Sequence, residues 1–114
     1  MKFIKDYQTE VLNEMTTNQT LTFNGDFYFV ADGIDEDEVR EALISRYAAK
    51  MNEYLYEPYG KARTAGLDAG EVISRVVHQF ADQIEKDCET LCIEKPKRGI
   101  MIKKLYEGLD ERYV

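Results

Sequence analysis

The chain has 114 residues, 44% of them hydrophobic and 32% charged, which is typical of one folded domain covering residues 1–114. Its 22 acidic and 15 basic residues give a formal net charge of −7, which argues against a protein held on nucleic acid or an anionic membrane by bulk charge. No apolar run approaches the roughly 18 residues of a membrane span, and the first residues turn polar too early for a signal peptide. We therefore expect a cytoplasmic protein.

The first helix is predicted over residues 3–15, because apolar residues recur there with the spacing of one helical face. A β-hairpin is expected next, since Asn24-Gly25 separates two β-prone runs and favours a type I′ turn. The second strand is apolar on both faces, with Phe27 and Phe29 on one side and Tyr28 and Val30 on the other. A solitary hairpin is marginal in water, so we expect helices or a third strand to cover both faces.

Two longer helices follow the hairpin. The first begins after a capping residue at Asp35 and is expected to end at about Tyr56, before Pro58 and Gly60. Residues 59–70 then read as a loop, and residues 71–93 have the apolar arc of a core helix. The last segment, residues 99–113, fits either a basic helix or a third strand. The predicted fold class is therefore α+β and helix-dominated.

Familiar catalytic and metal-binding patterns are missing from the sequence. His78, Cys88 and Cys92 are the only soft metal ligands, and His78 lies about 21 Å from Cys92 if one helix holds both. The acids that begin at Asp32 lack the glycine and glutamate positions of an EF-hand loop. We expect no metal, no cofactor and no catalytic residue, although a carboxylate pair for acid–base chemistry is defined by space and not by spacing.

Two acidic clusters are candidates for contacting a partner with a basic surface. One is at the start of the first long helix, where acids also suit the helix dipole, and the other is on the second long helix. The alternative is that both are solvated helix faces. Their members are Asp35, Glu36, Asp37, Glu38 and Glu41 in the first cluster, and Asp82, Glu85 and Glu89 in the second.

The eight tyrosines add two more candidate contact residues, because tyrosine is enriched at protein interfaces. Tyr47 and Tyr54 are on the predicted buried arc, which leaves Tyr56 and Tyr59 for a partner. Tyr56 also continues a small-residue stripe with Ala42 and Ala49, where either solvent or a closely packed helix is expected.

The basic residues are concentrated near the C-terminus. Five of them fall within ten residues that contain no acid: Lys95, Lys97, Arg98, Lys103 and Lys104. We interpret this run, named the basic segment, as lying across the acidic N-terminal half of the same chain or of a second subunit. A direct nucleic-acid contact is the alternative, but no aromatic pattern of an RNA-binding module accompanies it.

These features together favour a non-catalytic protein that binds another protein or assembles as a homo-oligomer, such as a homodimer. By size and charge it is comparable with small inhibitors of the phage or mobile-element kind. One alternative is an acidic, DNA-mimicking inhibitor of a nucleic-acid-binding enzyme. Another is a small enzyme that uses carboxylates and tyrosines.

Overall fold

The computed structural model describes residues 2–114, which form four α-helices, one β-hairpin and a final 3-10 turn. The elements are α1 (Ile4–Thr17), β1 (Leu21–Phe23), β2 (Tyr28–Val30), α2 (Glu36–Thr64), α3 (Ala69–Thr90), α4 (Arg98–Glu107) and the 3-10 turn (Glu111–Tyr113). The helix-dominated α+β class predicted from the sequence is confirmed, and the C-terminal segment that was open to two interpretations is helical from Arg98 to Glu107.

The core lies between α2 and α3, which run in opposite directions. Tyr47 of α2 is hydrogen-bonded to Asp87 of α3, whereas Tyr54, farther along α2, packs on Phe80, nearer the start of α3, with ring centroids 5.7 Å apart. Helix α1 completes the core with fully buried side chains such as Val11. Helix α4 packs on both long helices. Helices α1, α2 and α3 therefore bury most of the apolar face that their periodicity predicts, whereas α4 buries Met101 and Leu105 and leaves Tyr106 exposed.

The hairpin forms, but its turn lies one residue later than predicted. A type I′ turn centred on Asn24-Gly25 needs positive φ at both residues, yet Gly25 alone has it, at 99°. Gly25 and Asp26 are the central residues instead. The side-chain oxygen of Asn24 accepts hydrogen bonds from the backbone N–H groups of Asp26 (2.9 Å) and Phe27 (3.0 Å). These two hydrogen bonds from the backbone to its side chain explain why asparagine is the first residue of the turn.

Helix α2 does not end before Pro58, as predicted, but continues through Gly60 to Thr64. Proline in a helix costs about 3 kcal/mol because it lacks an N–H and crowds the preceding turn. The residues beyond it offset that cost, since Ala62 is buried and the Tyr59 ring packs edge-on against Tyr113 at 4.9 Å. The loop predicted for residues 59–70 is thereby reduced to residues 65–68.

Three helices are each followed by a residue with positive φ, and backbone N–H groups at this point donate hydrogen bonds to carbonyls of the last helical turn. Gly66 ends α2 with φ 73°, and the next N–H, that of Leu67, donates to the Ala62 carbonyl at 2.8 Å. Gln19 (φ 66°) and Cys92 (φ 58°) take the same position after α1 and α3. Side chains other than glycine are strained there. Helical spacing alone had placed Cys92 on α3, whereas the helix ends at Thr90.

Candidate protein-interaction surface

Two exposed aromatic side chains lie side by side on the hairpin. Phe27 and Phe29 are 56% and 38% exposed, and their rings pack against each other at 6.3 Å. These two side chains are named the hairpin surface. Phe23 is also exposed but lies on the other face of the hairpin, where its ring stacks on that of its cross-strand neighbour Tyr28 at 4.6 Å. Neighbouring apolar groups on an exposed face are candidates for contact with a partner.

Helix α1 covers only one face of the hairpin. Leu21 is buried, Val30 is half-buried against the core, and the Tyr28 hydroxyl donates to the Asn13 side chain of α1 at 2.5 Å. Because side chains alternate along a strand, Phe27 and Phe29 project from the opposite face, where they remain exposed. The expectation that both faces would be covered is therefore wrong, and within residues 2–114 the sheet has two strands.

The hairpin lies in a part of the chain that has no basic residue. No Lys or Arg occurs from residue 6 to residue 39. Asp26 comes immediately before the apolar run of the second strand, and Asp32 comes just after it. Both are exposed, and neither carboxylate has an ion-pair partner among residues 2–114. The charged residues next to the hairpin surface along the chain are thus all acidic.

The first acidic cluster is exposed at the start of α2, where its members have several roles. Asp35 caps the helix by accepting from the Asp37 N–H at 2.9 Å. Arg40 contacts Asp37 at 2.5 Å and Glu36 at 3.9 Å. In the same cluster, Glu41 is paired with Lys104 of α4, while Glu38 has no ion-pair partner in the described chain.

The second acidic cluster is neutralised by the basic segment. Arg98 bridges Asp82 at 3.0 Å and Glu85 at 2.9 Å, and Lys95 contacts Glu89 at 2.7 Å. The Lys95 ammonium and its hydrogen bond hold the pKa of the Glu89 carboxyl below its usual value. The contacts of the basic segment with its own chain accordingly leave less free negative charge on α3 than the sequence suggests.

The two tyrosines are far from the acids with which the sequence analysis grouped them. Twenty residues of α2 separate Glu36 from Tyr56, a distance of about 30 Å along the helix. Tyr56 is 69% exposed with the Arg112 guanidinium 5.6 Å from its ring centre. Tyr59 is half-buried against Tyr113. The first acidic cluster and the two tyrosines therefore form two separate patches along α2.

The small-residue stripe is open to solvent along part of its length. Ala42 is half-buried and Ala49 is exposed. The close helix contact occurs at the neighbouring Ala48, which meets Gly108 at the end of α4. A Cβ atom at Gly108 would come within 2.8 Å of the Ala48 side chain, so glycine is required there.

Asp87 is the buried polar residue that the sequence analysis missed. It is fully buried, and its carboxylate accepts hydrogen bonds from Tyr47, from Gln8 at 2.6 Å and from Gln83 at 3.0 Å. Burial raises the pKa of the Asp87 carboxyl, and these three hydrogen bonds oppose the rise. The available signal was its spacing, three residues after the buried Ile84, on the apolar arc of α3.

The described residues give little support for a cysteine nucleophile or a metal site. Cys88 is buried, and this burial raises the pKa of its thiol to about 11, so it is a poor nucleophile at neutral pH. Within residues 2–114 no three His, Cys, Asp or Glu side chains lie together so as to hold a metal ion. Among the same residues, none of the helices has the length and apolar character needed to span a membrane.

Comparisons with known proteins assign no family to the chain. No protein-family model, no curated protein and no solved structure matches it. The geometry of its surfaces is therefore the basis for the function proposed below.

Proposed function

We propose that this protein is a non-catalytic binding protein that occupies a partner protein through the hairpin surface. The observation that supports the proposal is the exposure of Phe27 and Phe29 beside the unpaired carboxylates of Asp26 and Asp32. Both rings project away from the protein's own core, so their size adds nothing to the packing of α1, α2 and α3.

The apolar area of the hairpin surface is large enough to centre an interface. With roughly 200 Å² for each phenylalanine side chain, the exposed fractions of Phe27 and Phe29 correspond to about 190 Å² of apolar area. At about 25 cal/mol per Å², its burial contributes about 5 kcal/mol before the cost of association. A stable interface covers about 800 Å² on each partner, so polar contacts around the phenylalanines must complete it.

The charge around the hairpin indicates the kind of partner. Asp26 and Asp32 border the hairpin surface, and no basic residue is present between residues 6 and 39. A partner surface that combines apolar side chains with Lys or Arg complements this arrangement. Its opposite charge raises the rate of association and the specificity of the contact. The acids of α3 are weaker candidates for the same contact, because Arg98 and Lys95 already engage them.

Affinity capture from a lysate of the native source or its host tests the proposal. The bait is the tagged chain, the test variant is Phe27→Ser with Phe29→Ser, and the control is Leu67→Ser. Leu67 is 66% exposed in the connection between α2 and α3, so the control removes a comparable apolar group away from the hairpin.

The expected result is one stoichiometric partner that the wild type and the Leu67→Ser variant retain and the phenylalanine variant loses. Its retention should fall as the salt concentration of the wash rises, because exposed charges are screened. Equal capture by all three baits contradicts the hairpin surface as the contact. Recovery of the wild-type bait alone contradicts a protein partner in that lysate.

A further inference from the structure

The hydrogen bonds of the hairpin establish which backbone groups of β2 point outward. At the two ends of the ladder, the Ala31 N–H donates to the Thr20 carbonyl at 3.1 Å and the Asn24 N–H donates to the Phe27 carbonyl at 3.2 Å. Hydrogen-bonded and non-hydrogen-bonded pairs alternate in an antiparallel ladder. Phe29, midway between these ends, therefore belongs to a hydrogen-bonded pair, and the residues on either side of it do not.

Tyr28 and Val30 consequently direct their backbone N–H and C=O groups away from β1. None of these groups has a hydrogen-bond partner in the part of the chain that the structure describes. Natural sheets protect such edges with lysine, proline or a bulge, and β2 has none of these. Only its short length, three residues, limits pairing.

The surroundings of this edge are charged at both ends and apolar in between. Asp26 precedes β2 and Asp32 follows it, both exposed and without an ion pair among residues 2–114. Phe27 and Phe29 lie on the uncovered face beside the edge. A strand added here would place alternate side chains against the phenylalanines and its end residues near the two aspartates.

We propose that the β2 edge binds an extended segment of a partner protein as a third strand, with alternating apolar residues and a Lys or Arg at each end. This inference rests on the proposed function and names the partner's contact. Tyr28 and Val30 offer two N–H and two C=O groups, so backbone hydrogen bonds supply affinity while the phenylalanines and aspartates select the sequence. A second copy of this chain fits the edge less well, because it would bring Asp26 and Asp32 near another acidic edge.

The probe is the peptide acetyl-Lys-Val-Thr-Val-Thr-Val-Lys-amide, titrated into the isotope-labelled protein. Its control has the same side chains and charge, but every internal backbone nitrogen is methylated, so it cannot donate to the strand edge. The readouts are the dissociation constant and the amide exchange rates of Tyr28, Phe29 and Val30. Phe29 is an internal reference, since its amide is already bonded within the hairpin.

Strand addition predicts that exchange slows at Tyr28 and Val30 and is unchanged at Phe29. Loss of two or more backbone hydrogen bonds should make the methylated peptide bind about tenfold more weakly. On the protein, Asp32→Asn should weaken binding about threefold as one surface ion pair is lost. The matched control Glu71→Gln removes one exposed carboxylate at the start of α3 and should leave binding unchanged.

The contrary outcomes separate the inference from the proposed function. Equal binding of both peptides without slower exchange at Tyr28 and Val30 means that only side chains contact the hairpin surface, which overturns strand addition and leaves the proposed function standing. No binding of either peptide at millimolar concentration also overturns strand addition, and the capture experiment then decides the proposed function alone. A doubled solution mass with protected Tyr28 and Val30 amides in the absence of peptide identifies the occupant as a second copy and overturns the partner strand.

Discussion

Replacing Asp87 tests how the three helices that meet at its carboxylate are held together. Tyr47 comes from α2, Gln8 from α1 and Gln83 from the same helix as Asp87. The informative pair of substitutions is Asp87→Ala, which removes the acceptor, and Asp87→Asn, which removes the charge and retains the size and one carbonyl oxygen.

The alanine variant should be strongly destabilised. Three donors lose their acceptor: the buried Tyr47 hydroxyl and the half-buried side-chain amides of Gln8 and Gln83. An unsatisfied buried donor costs about 1–3 kcal/mol, and water can reach the two amides, so we expect the free energy of unfolding to fall by about 2–4 kcal/mol. That is a large part of the roughly 5–15 kcal/mol that stabilises a domain of this size.

The pH dependence of the stability of the asparagine variant should show how much the buried charge of Asp87 destabilises the fold. Because burial raises the folded-state pKa of Asp87, the folded protein binds this proton more tightly than the unfolded chain does. Stability then falls as pH rises from the unfolded value of about 3.9 through the raised folded value. Asp87→Asn lacks this loss, so its stability relative to the wild type should increase over the same window. The hydrogen bond from Lys50 lowers the carboxyl pKa of Glu14, so this glutamate makes stability rise with pH. Its effect is the same in the wild type and in Asp87→Asn, and it cancels in the difference between them.

Urea unfolding followed by far-ultraviolet circular dichroism between about pH 4 and pH 8 measures both effects. A loss of less than about 1 kcal/mol in Asp87→Ala would contradict a role for this carboxylate in holding the helices together. A pH-independent difference in stability between Asp87→Asn and the wild type would contradict a raised pKa, since the buried carboxyl would then titrate as it does in the unfolded chain.

Four further substitutions test local features of the fold by the same unfolding measurement. Gln19→Gly and Cys92→Gly should each stabilise the protein by about 0.5–1 kcal/mol, because glycine relieves the positive φ angles; destabilisation would contradict strain at these helix ends. Pro58→Ala should stabilise it by about 1–3 kcal/mol by supplying an N–H for the Tyr54 carbonyl, and unchanged stability would show that proline's restriction of the unfolded chain compensates. Arg98→Gln should cost about 0.5–1 kcal/mol at low salt and less at high salt, whereas a cost independent of salt would contradict an ionic role.

Local pattern in the sequence predicted most of the elements, although it left residues 99–113 open between helix and strand. Helical spacing placed α1 and α3 to within a few residues, and Asp35 was correctly identified as the residue that caps α2. The Asn24-Gly25 pair correctly indicated a hairpin. These predictions succeed because they depend on interactions among neighbours a few residues apart, such as side-chain spacing, capping and positive φ at glycine.

The tertiary structure decided what neighbours in sequence cannot report. Helix α2 continues past Pro58 because Tyr59 packs on Tyr113, more than fifty residues away in the chain. Phe27 and Phe29 are exposed because α1 covers only the opposite face of the hairpin. Tyr56 is separated from the first acidic cluster by several turns of α2. Asp87 has the spacing of a core position, but only the arrival of Gln8 and Tyr47 from two other helices makes a buried carboxylate stable there. Contacts between distant segments, and the desolvation that they cause, are therefore what determined the candidate surface of this protein.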